Sequence, residues 1–171
     1  PDSSINTNPS NPTTSTSAAF TFSGTDSGTG VASLQCDLDG GGFSTCTSPK
    51  SYTGLGDGSH TFQVRAVDNA GNMDATPASF TWIVDATAPD TTITANPSNP
   101  ANSTTANFDF SGNDGAGTGI ASFECKLDAA AFAACTSTKT YNALSNGSHT
   151  FQVRAIDVAG NVDATPASFT W

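Results

Sequence analysis

Residues Leu55–Trp82 read LGDGSHTFQVRAVDNAGNMDATPASFTW, and Leu144–Trp171 read LSNGSHTFQVRAIDVAGNVDATPASFTW, with only five positions different. The offset is 89 residues here and 88 near the start, where Pro1-Asp2 matches Pro89-Asp90 and Ile5 matches Ile93. A one-residue insertion in the Gly-rich stretch between Gly24 and Gly30 accounts for the change, as a surface loop would allow. Internal duplication of this kind sets the architecture before any single residue does. The chain divides into two tandem units, 1–88 and 89–171, each close to the smallest size that one hydrophobic core can hold together.

Inside each unit the apolar period is two. Phe20 and Phe22 flank Thr21; Leu34, Cys36 and Leu38 flank Gln35 and Asp37; His60, Phe62, Val64 and Ala66 alternate with Thr61, Gln63 and Arg65. Phe80 and Trp82 flank Thr81. Alternation places one face of a strand in a core and the other in water. Turn-forming residues separate the runs, at Asn8-Pro9, Gly40–Gly42, Gly56-Asp57-Gly58 and Ala70-Gly71-Asn72. The pattern predicts seven strands per unit, near 4–7, 18–23, 31–39, 43–46, 51–53, 60–67 and 78–84, and hence an all-β, two-sheet sandwich.

Composition agrees. Only 12% of residues are charged, and the net charge is −10 from 15 acidic and 5 basic groups. A chain so acidic repels phosphate backbones and anionic lipid, which argues against nucleic-acid or membrane partners. No stretch has the length of apolar sequence that crosses a bilayer as a helix, and no signal-peptide pattern opens the chain. The second unit stops at Trp171 without counterparts of Ile83–Ala88, so the natural chain is expected to continue.

The string Leu55-x-Asp57-Gly58-Ser59-His60-Thr61-Phe62-x-Val64-x-Ala66-x-Asp68-x-Ala70-Gly71-Asn72, preceded by Ser27–Val31 and Cys36-x-Leu38-Asp39, resembles bacterial immunoglobulin-like repeats. Such repeats are strung in tandem in large secreted and surface proteins, including adhesins. The run from Leu55 to Ala66 is also similar to the sixth strand of fibronectin type III domains, with His60 where that fold has its corner Tyr. The resemblance implies two immunoglobulin-like seven-stranded domains in an extracellular setting. There is no Trp on the third strand and no Cys pair spanning the two sheets, so an antibody-type domain is excluded.

Four groups of residues invite a chemical role. Cys36-x9-Cys46 and Cys125-x9-Cys135 bracket a hairpin, which brings each pair within disulfide range and points to an oxidising compartment. Zinc would require closer Cys pairs converging with His. His60 and His149 lie near Ser59 and Asp57 or Ser148, but they fall in phase with the core positions and are expected to hydrogen-bond backbone at a strand corner. No nucleophile, base and oxyanion set is discernible, so the chain is not expected to be an enzyme. Lys50 and Lys139 are read as exposed, and the Asn102 and Asn146 glycosylation patterns as chance matches.

The fourth group is acidic. In a sandwich of this order the loop after the second strand, the loop before the last strand and the entering linker share one end. That gathers Asp85, Asp90, Asp114, Asp157, Asn161 and Asp163 for the second unit, and Asp2, Asp26, Asp68, Asn72 and Asp74 for the first. Two roles fit: oxygen ligands for Ca²⁺ at the domain junction, which the resemblance favours, or Asx turns that stabilise the loops. No cofactor is otherwise required. The functional expectation is a spacer or stalk whose partners are neighbouring repeats of the same chain. The alternatives are a subunit that self-associates into a fibre or sheath and a carbohydrate- or protein-binding module, with Tyr52 and Tyr141 as the ambiguous aromatic residues.

Overall fold

The computed structural model describes all of Pro1–Trp171 and contains strands and turns throughout, with no helix. It divides into two compact units, Pro1–Ala86 and Thr87–Trp171. The division falls two residues before the point suggested by the Pro1/Pro89 match. The first unit keeps its chain through Ala86, because Asp85 N–H donates to the Thr13 carbonyl (2.9 Å) and Ala86 N–H to the Asp57 carboxylate (2.8 Å).

The first unit contains β1 (Asp2–Thr7), β2 (Ala18–Thr25), β3 (Val31–Leu38), β4 (Ser44–Cys46), β5 (Lys50–Tyr52), β6 (Gly58–Asp68) and β7 (Ala78–Val84). The second repeats them as β8 (Asp90–Ala95), β9 (Ala106–Asn113), β10 (Ile120–Leu127), β11 (Ala133–Cys135), β12 (Lys139–Tyr141), β13 (Thr150–Asp157) and β14 (Ala167–Thr170). Each unit is a sandwich of a three-stranded and a four-stranded antiparallel sheet, ordered β1-β2-β5 and β4-β3-β6-β7 in the first and correspondingly in the second. In constant immunoglobulin domains the fourth strand lies beside the fifth; here it pairs with β3. The Cys36–Cys46 hairpin is therefore continuous within one sheet.

Alternation explains the core. β2 buries Ala18, Phe20 and Phe22, and β6 buries Phe62, Val64 and Ala66, while their odd neighbours face outward. Phe20 stacks on Phe62 at 4.1 Å, with Trp82 edge-on at 5.3 Å; the second unit reproduces this with Phe108, Phe151 and Trp171. Such aromatic pairs contribute about 0.5–1.5 kcal/mol beyond the area they bury. Gly24 and Gly112 sit where the sheets close. A Cβ on Gly24 would lie 2.9 Å from Leu34 Cδ2, and one on Gly112 would lie 3.0 Å from Ile120.

The outer edge of β7 is blocked. Ile83 N–H donates to Asn11 Oδ1 (3.0 Å), Thr13 N–H donates to the Ile83 carbonyl (3.0 Å), and Thr13 bridges Val84 in parallel. A short loop thus occupies backbone groups that would otherwise template another strand.

Candidate functional site

The loop after β2 and the loop before β7 converge, as the strand order requires. In the first unit Asn69 N–H donates to the Gly30 carbonyl and its amide Nδ2 to the Thr29 carbonyl. In the second, Val158 N–H donates to Gly119 and Ala159 N–H to the Thr118 hydroxyl.

The carboxylates here act first as local acceptors. Asp26 Oδ2 accepts Gly28 and Gly30 N–H, and the Gly30 bond above all holds its carboxyl below the ordinary range. Asp68 accepts the N–H groups of Ala70 and Asn72 and the Asn72 side-chain amide, whose bond is the main cause of its lowered pKa. For Asp74 burial pushes upward, and the Ser3 hydroxyl with Thr76 N–H and hydroxyl overcomes it. The second unit repeats the scheme. Asp157 accepts Gly160, Asn161 and the Asn161 amide, and Asp163 accepts Thr165 N–H and hydroxyl. These are Asx turns, the second of the two roles expected from sequence.

Two oxygens remain outside that scheme. Asp114 Oδ2 accepts Gly119 N–H at 2.7 Å, but Asp114 Oδ1 is buried without a partner, as is Asp163 Oδ2. The counterpart of Asp163 Oδ2 in the first unit accepts from Ser3; Thr91 stands at that position in the second, where its hydroxyl instead accepts Ala155 N–H. Asp114 and Asp157 each present a carboxylate oxygen within 4.8 Å of the other. Asp85 belongs to the first unit, where it follows β7 and is buried.

His60 and His149 have a partner the sequence reading missed. His60 Nε2 bonds the Gly56 carbonyl (2.9 Å), the backbone contact expected, but Nδ1 bonds Asp39 Oδ2 at 2.7 Å. His149 makes the same pair with Ser145 (2.9 Å) and Asp128 (2.8 Å). The spacing of 21 residues, equal in both repeats, is the only sequence signal of this pairing.

Both cysteine pairs are closed, Cys36–Cys46 and Cys125–Cys135, with Cα atoms 5.8 Å apart, and no free thiol remains. Tyr52 and Tyr141 pack against their cores rather than standing out as ligand platforms. Lys50 and Lys139, read as exposed, are half-buried, with Nζ over those Tyr rings at 5.4 and 5.3 Å. Two partly exposed aromatic residues lie outside both cores, Phe43 and Phe132, beneath Arg65 and Arg154 at 4.1 and 4.2 Å. Gln35 accepts from Arg65 Nε (2.9 Å), and Glu124 pairs with Arg154 in the same place (2.7 Å).

No protein-family model matches the chain. Exoglucanase B of Cellulomonas fimi is 37% identical to it over 112 residues, a match that spans 61% of this chain and 10% of that one. Among solved structures, the fibronectin(III)-like modules of CbhA from Clostridium thermocellum superpose with a TM-score of 0.48 at 17% identity, covering 98% of this chain and 92% of that chain. The central fibronectin-III array of RIM-binding protein gives 0.36 at 12% identity, covering 99% of this chain and 68% of that one. A two-domain fibronectin type III segment of chicken tenascin gives 0.37 at 10%, covering 99% and 97%.

Proposed function

We propose that the chain is a pair of non-catalytic spacer modules from a secreted or surface protein, holding a neighbouring adhesive or catalytic domain at a distance. The observation that carries this reading is the use of polar side chains. In both repeats the His–Asp pair, the loop Asp residues and the Arg–Phe stack are bonded to their own scaffold, at equivalent positions. Duplication has preserved the bonds that brace a sandwich. The disulfides support an oxidising compartment. Exoglucanase B matches over a tenth of its length, which fits a module carried within a longer chain.

Calcium belongs to this proposal through the second repeat. Asp114 and Asp157 place carboxylate oxygens within 4.8 Å, and Asp114 Oδ1 is buried without a donor. A hard divalent cation with oxygen ligands would relieve both the repulsion and the unsatisfied acceptor.

Pulling the chain by its ends tests the spacer reading. Two discrete unfolding events are expected, one per sandwich. Reduction should lengthen each release by roughly 30 Å, which is ten residue steps at ~3.5 Å less the bridge itself. A chain that extends without discrete events would remove the spacer function.

A further inference from the structure

We propose that His60 and His149 are held as imidazolium ions, each latching the loop before its strand to the preceding hairpin turn, and that raising the pH releases both latches. Each ring faces two oxygens. Nδ1 meets a carboxylate oxygen, Asp39 or Asp128, and Nε2 meets a backbone carbonyl, Gly56 or Ser145. Both partners are acceptors. Neutral imidazole has one N–H and one lone pair, so it can satisfy only one of them, and its other nitrogen would face an oxygen lone pair. Only the doubly protonated ring donates to both.

A proton on the Asp would offer another solution, but the surroundings disfavour it. Asp39 Oδ1 already accepts Thr61 N–H, and Asp128 Oδ1 accepts Thr150 N–H, both at 2.7 Å. Those carboxylates are 42% and 44% exposed, so water also supports their charge. The rings are only 15% and 12% exposed, with Trp82 and Trp171 packed against them at 5.6 Å, and this burial opposes the ring's charge but is outweighed by the hydrogen bonds. The hydrogen bond to Asp39 first, and that to Gly56 second, raise His60 above its ordinary 6.5; Asp128 and Ser145 do the same for His149. The other charged group in the first loop is Asp57, whose carboxylate accepts Ala86 N–H; the second loop has neutral Asn146 there.

The latch joins elements distant in sequence: a turn after β3 or β10, and the loop entering β6 or β13. The sign of its pH dependence follows from linkage. A raised His pKa contributes stability that is complete below the unfolded value of 6.5 and is lost as pH rises through the folded value. The lowered Asp pKa adds stability that is complete above 3.8 and is lost as pH falls through its folded value. Both latches are therefore fully closed between those two ordinary values.

Nitrogen-15 NMR of the imidazoles during a pH titration tests this. Both nitrogens of both rings should carry protons as the pH falls below 6.5, and both midpoints should lie above 6.5. Asp39→Asn should bring the His60 midpoint down towards 6.5 and leave His149 unmoved, and Asp128→Asn should do the reverse. Asn suits the turn, because Asp39 and Asp128 have φ of 56° and 52°, a region Asn tolerates. Midpoints at or below 6.5 in the unmodified protein, or a His60 titration indifferent to Asp39→Asn, would overturn the proposal.

Discussion

Replacing Phe62 with Ala removes the ring at the centre of the first core. Phe62 is fully buried, stacked on Phe20 at 4.1 Å and within 6.0 Å of the Phe22 and Tyr52 rings. A buried aromatic side chain covers roughly 150–250 Å², worth about 4–6 kcal/mol at about 25 cal/mol per Å². Ala retains part of that area, and the cavity relaxes incompletely, so the loss should be roughly 3–5 kcal/mol. For a domain of this size each kcal/mol moves the melting temperature by about 4–8 °C, which puts the total shift in the tens of degrees. The comparison is Phe43→Ala, which removes a partly exposed ring and its contact with Arg65 and should cost nearer 1 kcal/mol. Scanning calorimetry of the intact chain should resolve a first-repeat transition moved far down by Phe62→Ala and little by Phe43→Ala. The second core, built on Phe108 and Phe151, is a separate cluster and should melt where it did before. Equal effects of the two substitutions would mean that the Phe20–Phe62 stack is not the keystone the packing implies.

Calcium should stabilise the second repeat relative to a chelator by about 1.4 kcal/mol at tenfold excess over Kd, and so raise its melting temperature. Asp157→Asn should weaken that gain, and melting curves indifferent to calcium would leave Asp114 and Asp157 as turn formers only. In the first repeat, Val84 is buried beside Thr13 and Asp85 N–H bonds the Thr13 carbonyl. Appending Ile-Val-Asp-Ala after Trp171 should therefore stabilise the second repeat against urea, and an unchanged midpoint would show that this strand extension adds nothing.

Most of the fold was legible because period-two alternation reports directly which face of a strand is buried. Phe20, Phe22, Phe62, Val64 and Trp82 could be assigned to the core from their spacing alone. The Cys pairing was legible because a separation of 10 residues across a hairpin turn, Gly-rich in the first repeat and Ala-rich in the second, leaves few other geometries. What alternation does not carry is the partner of a short edge strand. β4 obeys the same period whichever sheet it joins, and the register that places it beside β3 is set by the hairpin. The His–Asp contact was hidden for a related reason. Asp39 reaches His60 only because a left-handed residue closes the turn after β3 and the β3–β6 register brings Leu38 opposite Phe62. Phe43 reads as apolar, yet lies outside the core under Arg65, since a turn residue has no alternating partner to fix its side. Lys50 was read by its charge, although its aliphatic stem allows the ammonium to rest over Tyr52.

The shortness of the disulfide loops bears on how such a chain matures. Near-identical neighbours are prone to exchange strands, and four chemically equivalent thiols could oxidise in the wrong combination. Closing a loop of sequence separation 10, rather than the 89 between Cys36 and Cys125, is favoured by roughly 25-fold from chain entropy alone. Oxidation of each hairpin is thus settled within its own repeat. Lengthening an array by further copies would multiply the thiols without eroding the fidelity with which each finds its mate.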